Sequence, residues 1–274
     1  MTSKEYKIYI NPKNIDIKDR GFNFGDGVFE TVLVKNNSPK NIKEHIKRLQ
    51  QGCELIKIKP PSLELILSNI RKAILRYPNC ILKIYVTRGL NEQGYLFDED
   101  IVHNIYFRTI PKIPSIVKIT GLDLKVSKNI LYPNRSFYGI KHMNRLEQSL
   151  VAHELLDNKK YDDMLLVNDK KNIIETISSN IFFVKKVKSR LYFYTPKIDN
   201  CGIEGVMRNE VIKWLRKKSY KLVIRSISLR KVQEYDYCFI TNSIKGLRFV
   251  NKINSIKFSD PDPILRILEG LVIS

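Results

Sequence analysis

The sequence predicts a mixed αβ (α+β) protein of roughly two domains, on three observations. Its 274 residues suffice for a sizeable core and, at the usual domain size, for about two domains. Strand-like alternation and helix-like stripes succeed one another along the whole chain, with no internal repeat or low-complexity tract. Pro111-Lys112-Ile113-Pro114 sets two prolines in four residues near the middle, which marks residues 111–116 as an interdomain linker.

Composition narrows the class. Hydrophobic content of 43% and charged content of 28% are ordinary for a soluble globular protein. No run approaches the roughly 18 apolar residues of a membrane span, and Met1 to Tyr6 lacks the apolar core of a signal peptide. A cytoplasmic protein without a membrane partner is expected. Cys53, Cys80, Cys201 and Cys238 are scattered, so they read as reduced packing residues and not as a metal site or disulfide frame. The net charge of +20 is spread over pairs such as Lys159-Lys160, Lys185-Lys186 and Lys217-Lys218. No zinc-finger spacing, RNP-like motif or basic tail accompanies it, so it reads as a lysine-rich surface, not a nucleic-acid site. Such a field also steers small anionic substrates toward a cleft.

The elements come in order. Lys7–Ile10 is a short strand ended by Asn11-Pro12. Asp19-Arg20-Gly21-Phe22-Asn23-Phe24-Gly25-Asp26-Gly27-Val28-Phe29-Glu30-Thr31-Val32 places three glycines among aromatics, a tight turn feeding a strand. Glycine there serves either the hairpin itself or the close approach of backbone to a ligand. Ile42, Ile46, Leu49 and Cys53 fall on one helical face, with Arg48 beside it as a possible anion clamp. A second helix starts at the N-cap Ser62 and stops before Pro78. Strands are expected at Ile81–Arg88 and Asn104–Thr109, and after the linker at 117–126.

Beyond the loop around Pro133, Lys141 stands between an extended segment and a helix whose expected stripe is Met143, Leu146, Leu150 and Leu155. A lysine at such a junction can be held rigidly and partly desolvated, as Schiff-base chemistry requires. Strands are expected at 164–167, 173–177, 181–184 and 191–195. Glu175, between apolar neighbours on the second of these, either faces solvent or is a buried carboxylate that must be paired. Gly202-Ile203-Glu204-Gly205-Val206-Met207-Arg208 opens a helix through Trp214, and such a glycine-flanked N-terminus suits phosphate. Strand Tyr237–Thr241 ends in the small-polar turn Asn242-Ser243, and a last helix starts near Pro263.

A lysine at a junction, an arginine on a helix, an acid on a strand and two phosphate-suited turns make the part list for pyridoxal 5'-phosphate. These residues also resemble a family. The Asp19–Thr31 segment, His45-Ile46-Lys47-Arg48-Leu49, Lys141, Glu175 through Asn180, Gly205-Val206-Met207-Arg208 and Thr241-Asn242-Ser243 are similar, in order, to the motifs of the class IV aminotransferases, pyridoxal phosphate fold type IV. The resemblance runs from about residue 7 to 252. It implies a D-amino acid aminotransferase-like fold, with a small domain at 1–110, a large domain at 117–274 and the cofactor between them. It further implies that Lys141 forms the Schiff base, that Glu175 meets the pyridine nitrogen, and that Arg48, Val206, Met207 and Ser243 hold phosphate.

Within the family, Gly139 to Gln148 and Thr87-Arg88-Gly89 with Gly94-Tyr95 look most like the aminodeoxychorismate lyases. Those enzymes eliminate pyruvate from 4-amino-4-deoxychorismate to give 4-aminobenzoate, a folate precursor. On this resemblance Arg88, Thr31 and Phe29 are expected at the substrate, a small anion, and the chain is expected to form a homodimer. A D-amino acid or branched-chain amino acid transaminase of the same fold is the alternative.

Overall fold

The computed structural model describes residues 5–111, 119–134 and 136–272. Residues 112–116 of the expected linker and the start of the strand expected at 117–126 lie outside them. The chain divides into two compact units. The first contains residues up to Pro114 together with Ile140–Arg145; the second contains Ser115–Gly139 and Leu146 onward. The sequence reading keeps Lys141 with the second half, whereas here its segment packs with the first.

Unit 1 consists of β1 (Tyr6–Ile10), α1 (Arg20–Phe24), β2 (Gly27–Lys35), β3 (Ser38–Pro39), α2 (Ile42–Leu55), α3 (Leu63–Ile74), β4 (Cys80–Thr87) and β5 (His103–Ile110). The sheet order is β1-β5-β4-β2-β3, with β1 parallel to β5 and the other pairs antiparallel. Ser62 caps α3 through its hydroxyl on the Leu65 N–H, as its position before the apolar stripe suggests. One face of the sheet (Val28, Val32, Val34, Leu82, Ile84, Val86) meets Ile46, Leu49, Cys53, Ile66 and Ile70 of the helices in a dry core. The alternate residues Phe29, Tyr85, Tyr106 and Tyr9 lie opposite one another across four strands on the other face, beside the row Thr31, Lys83 and Arg108.

Unit 2 consists of β6 (Leu122–Val126), α4 (Leu146–Leu156), β7 (Asp163–Val167), β8 (Asn172–Thr176), β9 (Asn180–Val187), β10 (Arg190–Pro196), α5 (Val206–Lys217), β11 (Lys221–Arg225), β12 (Ile227–Ser228), β13 (Tyr237–Asn242), β14 (Gly246–Ile253), β15 (Ile256–Lys257) and α6 (Asp262–Val272). Strands β9-β13-β14-β6-β7-β8 run in that order, and β8 returns to β9 where Glu175 pairs with Asn180. The sheet therefore closes into a ring, which removes most exposed edges. Its interior is filled by Leu122, Leu124, Leu165, Val167, Ile181, Phe183, Cys238, Ile240 and Val250. Outward-facing Phe182, Val184, Phe239, Leu247 and Phe249 pack against Val211 and Leu215 of α5 and Ile264 and Leu268 of α6. At roughly 1.5–3 kcal/mol for each large apolar side chain fully buried, these two layers dominate the unit's stability.

One expectation changes, and one open alternative is decided. Helix α4 starts at Leu146, not Met143, and two residues of its predicted stripe face outward: Leu146 is 74% and Leu150 53% exposed. The helix instead docks through Val151 and Leu155 onto Met164 and Leu166. Glu175 does not face solvent; it is 4% exposed. The four cysteines are buried and unpaired. Among the described residues no helix is long and apolar enough to cross a membrane.

Candidate active site

In unit 1, Lys141 sits on an extended segment that pairs with the first half of β2. The Phe29 N–H donates to the Lys141 carbonyl at 2.9 Å, and the Met143 N–H donates to the Gly27 carbonyl at 2.9 Å. The lysine Nζ rests 4.5 Å from the centroid of the Phe29 ring, which in turn stacks on Tyr85 at 5.7 Å. An ammonium over a ring face is held by the ring quadrupole while one side is kept from water. The glycine-rich turn makes room for this segment. A side chain at Gly27 would meet the Val86 carbonyl and the Met143 sulfur, and one at Gly25, whose φ is +64°, would meet Asn144. The close approach that the glycines permit is thus to the protein's own lysine-bearing segment.

Behind Phe29, on the core side of β2, Glu30 is 1% exposed. Arg48 donates Nε to Oε1 at 2.7 Å and a terminal nitrogen to Oε2 at 2.6 Å, and His45 Nδ1 reaches Oε2 at 2.6 Å. Burial pushes the Glu30 carboxyl up, but Arg48 and His45 outweigh it and bring its pKa down to about 2. Arg48 is thereby fixed on α2 by a bidentate fork. His142 stands next to Lys141 in the chain; burial first, then the charges of Arg145 and Lys141, push its imidazole down to about 4, so it is neutral at physiological pH.

Arg88 is a brace and not an open cation. Its Nε donates to Asp26 at 2.8 Å and its two terminal nitrogens to the carbonyls of Lys57 at 2.9 Å and Ile56 at 2.6 Å, with Phe97 stacked at 4.4 Å. Each nitrogen already donates within unit 1, and the residue is 6% exposed, so the expected substrate role is corrected. Arg20 braces the neighbouring loop in the same way, bonding Asp26 and the carbonyls of Gly94, Tyr95 and Leu96. Phe29 and Thr31 do lie on the half-exposed face, and Thr31 pairs with Lys83, which pairs with Arg108. Sequence reading missed Lys83 and Arg108; the alternation of β4 and β5 was the signal that places them on that face. It also missed Glu30, an acid at an inward position of Val28-Phe29-Glu30-Thr31-Val32.

In unit 2, Glu175 and Asn180 hold the start of α5 against the ring. Glu175 Oε2 accepts the Ile203 N–H at 3.0 Å, while Asn180 Nδ2 donates to the Ile203 carbonyl at 2.9 Å. Both backbone groups of Ile203 are gripped, which orients the turn leading into the helix. Gly139 adds a parallel bridge: its N–H donates to Gly202 at 2.9 Å and its carbonyl accepts from Glu204 at 3.0 Å. Gly205 is the N-cap and no side chain caps the helix; a Cβ there would collide with Asn180 Oδ1. Val206 and Met207 form the first turn. Ser243 opens the half-exposed turn between β13 and β14.

Known proteins share this arrangement of elements. The Amino-transferase class IV family model matches residues 27–253. The chain belongs to this family. It is 28% identical over 244 residues, 88% of each chain, to an aminodeoxychorismate lyase of Vibrio harveyi. It is 27% identical over 254 residues, 86% of this chain and 84% of the other, to a provisionally named branched-chain-amino-acid aminotransferase of Methanocaldococcus jannaschii. The crystal structure of 4-amino-4-deoxychorismate lyase from Pseudomonas aeruginosa superposes with a TM-score of 0.83 at 25% identity, covering 95% of this chain and 97% of that one. The two-domain α+β fold of this class IV protein is accordingly the fold type IV of its family, and membership makes it a pyridoxal phosphate-dependent enzyme.

Proposed function

We propose that this class IV enzyme is a 4-amino-4-deoxychorismate lyase, releasing pyruvate and leaving 4-aminobenzoate. The observation that carries the reading is the row Thr31, Lys83 and Arg108 beside Phe29 and Lys141 Nζ. Two neighbouring cations suit a substrate with two carboxylates, whereas a simple amino acid has one to place. The similarity to lyases of Vibrio harveyi and Pseudomonas aeruginosa supports the same choice.

The residues fit the cofactor chemically. In unit 1, Lys141 offers an amine held against an aromatic face, and Arg48 offers a guanidinium held in place by Glu30. In unit 2, a buried acid, Glu175, and a helix start left uncapped by side chains at Gly205 suit a protonated ring nitrogen and a phosphate. We assign Lys141 to covalent attachment and proton transfer, Glu175 to the ring nitrogen, and Arg48, Val206, Met207 and Ser243 to phosphate. When bound, pyridoxal phosphate supplies the electron sink for charge released at the substrate's amine-bearing carbon. Lys141 Nζ takes the proton from that carbon and delivers one to the departing enolpyruvyl ether oxygen. His142, neutral beside it, adds no competing charge. Thr31, Lys83 and Arg108 orient the carboxylates, and Phe29 shields the amine from water.

The enzyme is further proposed to act in the cytoplasm as a homodimer; exposed Ile17, Phe22, Tyr95 and Leu96 in unit 1 give apolar surface for a second copy. The deciding experiment supplies aminodeoxychorismate without any 2-oxo acid and monitors pyruvate. Multiple turnovers of pyruvate release support the lyase, while no release from this substrate, together with a single turnover on D-alanine that resumes on adding a 2-oxo acid, identifies a transaminase. Lys141→Ala retaining full turnover would refute the assignment of the lysine.

A further inference from the structure

Unit 2 contains a chain of buried polar groups that the proposed chemistry does not use. Ile240, Asn242 and Arg248 share the inward face of the ring, and Ser179 ends the turn that leads into the adjoining strand β9. The Asn242 side-chain oxygen accepts the N–H groups of Ile244 at 3.0 Å and Lys245 at 2.7 Å, closing the turn that begins at Ser243. Because two N–H donors fix which end of the amide is oxygen, its nitrogen must point away, and it donates to Ser179 Oγ at 3.0 Å. Arg248 reaches Ser179 Oγ at 3.4 Å and stands 3.6 Å from Asp163 Oδ2. Asp163 is itself anchored by the Thr176 hydroxyl at 3.0 Å and the N–H groups of Met164 at 2.9 Å and Ile177 at 3.3 Å.

Asp163, Ser179 and Arg248 are each 4–5% exposed. Arg248 Nε is buried with no hydrogen-bond partner among the described residues, so its contacts to Asp163 and Ser179 orient the group. The attraction within such a pair is offset by the cost of burying both charges. A fixed charge behind a turn, however, holds the turn's amide in place.

We propose that Asp163, Arg248 and Ser179 are positioning residues: through Asn242 they set the shape of the Ser243–Lys245 turn and so the grip of unit 2 on the cofactor's phosphate. This rests on the reading that Ser243 meets that phosphate. The full chain, stripped of cofactor, is titrated by equilibrium dialysis with pyridoxal phosphate and with pyridoxal, which lacks the phosphate. Ser179→Ala is expected to weaken pyridoxal phosphate about tenfold, the worth of one hydrogen bond, and to leave pyridoxal unchanged. Ser179→Thr keeps the hydroxyl and restores wild-type binding. Equal weakening of both ligands, or of neither, overturns the proposal. Ser243→Ala serves as the control: if it alone lowers phosphate preference, the brace is wrong and the turn's assignment stands. If it changes nothing, the assignment fails and the brace with it. Should Ser179→Ala not fold, Asp163→Asn combined with Arg248→Met removes the charges together and is read by the same two titrations.

Discussion

Each unit buries a carboxylate against an arginine, and the two pairs behave oppositely. Glu30 meets Arg48 through two bonds of 2.6 to 2.7 Å and His45 through a third. Asp163 meets Arg248 across 3.6 Å. Burial raises both acids, yet Glu30 ends at about 2 while Asp163 ends above its ordinary value, because the backbone and side-chain donors around it do not overcome desolvation. The depth of burial is alike; the fit of the fork decides the sign. A close bidentate fork brings its acid down, and a looser contact leaves burial to set the direction.

The sharpest way to break this comparison is Glu30→Gln, which leaves Arg48 without its counter-charge. Urea unfolding at neutral pH should show a loss of about 3–5 kcal/mol, the cost of breaking a buried pair from one side. A loss below about 1 kcal/mol would mean the fork adds little. The same carboxylate predicts an acid limb. Its folded pKa lies below the ordinary 4.5, so its contribution is present above pH 4.5 and lost as pH falls toward 2. The displacement corresponds to about 3 kcal/mol, and Glu30→Gln should flatten that limb. Asp163 runs the other way: its raised value means stability present at low pH and lost as pH rises through the folded pKa. Asp163→Asn with Arg248→Met should therefore unfold within about 1 kcal/mol of wild type at neutral pH. The smallest effect belongs to half-buried His142. Its value of about 4 lies below the ordinary 6.5, so wild type loses stability as pH falls between them. His142→Gln should remove that slope, as read by melting temperature across the window.

Much of the fold is legible because its signals are local. Ser62 caps the helix next to it, the stripe Ile46, Leu49 and Cys53 is buried, and Ile181 to Val184 lies in a strand. The features that sequence reading misses depend on distant partners. Glu175 is left between exposed and buried because nothing nearby in the chain shows that Ile203 supplies its hydrogen bond. Arg88 is expected at the substrate on the resemblance, because its acceptors Asp26, Ile56 and Lys57 come from a different part of the chain. The stripe of α4 misleads because its spacing puts Leu146 and Leu150 in the core, while only Val151 is fully buried in that helix. The candidate site is legible as residue types in order; its supporting acid Glu30 and the facing cations Lys83 and Arg108 emerge only when strands are laid side by side.

The allegiance of Ile140–Arg145 to unit 1 has a consequence for how the molecule is made. The bonds from Phe29 to Lys141 and from Met143 to Gly27 join positions more than a hundred residues apart. Unit 1 is therefore incomplete when its five strands, all within residues 6–110, have left the ribosome. It must wait, with the first half of β2 unpaired along one side, until the start of unit 2 has been synthesised. Lys141, proposed as the point of cofactor attachment, is among the last pieces of unit 1 to arrive, on the same segment that closes the open side of β2.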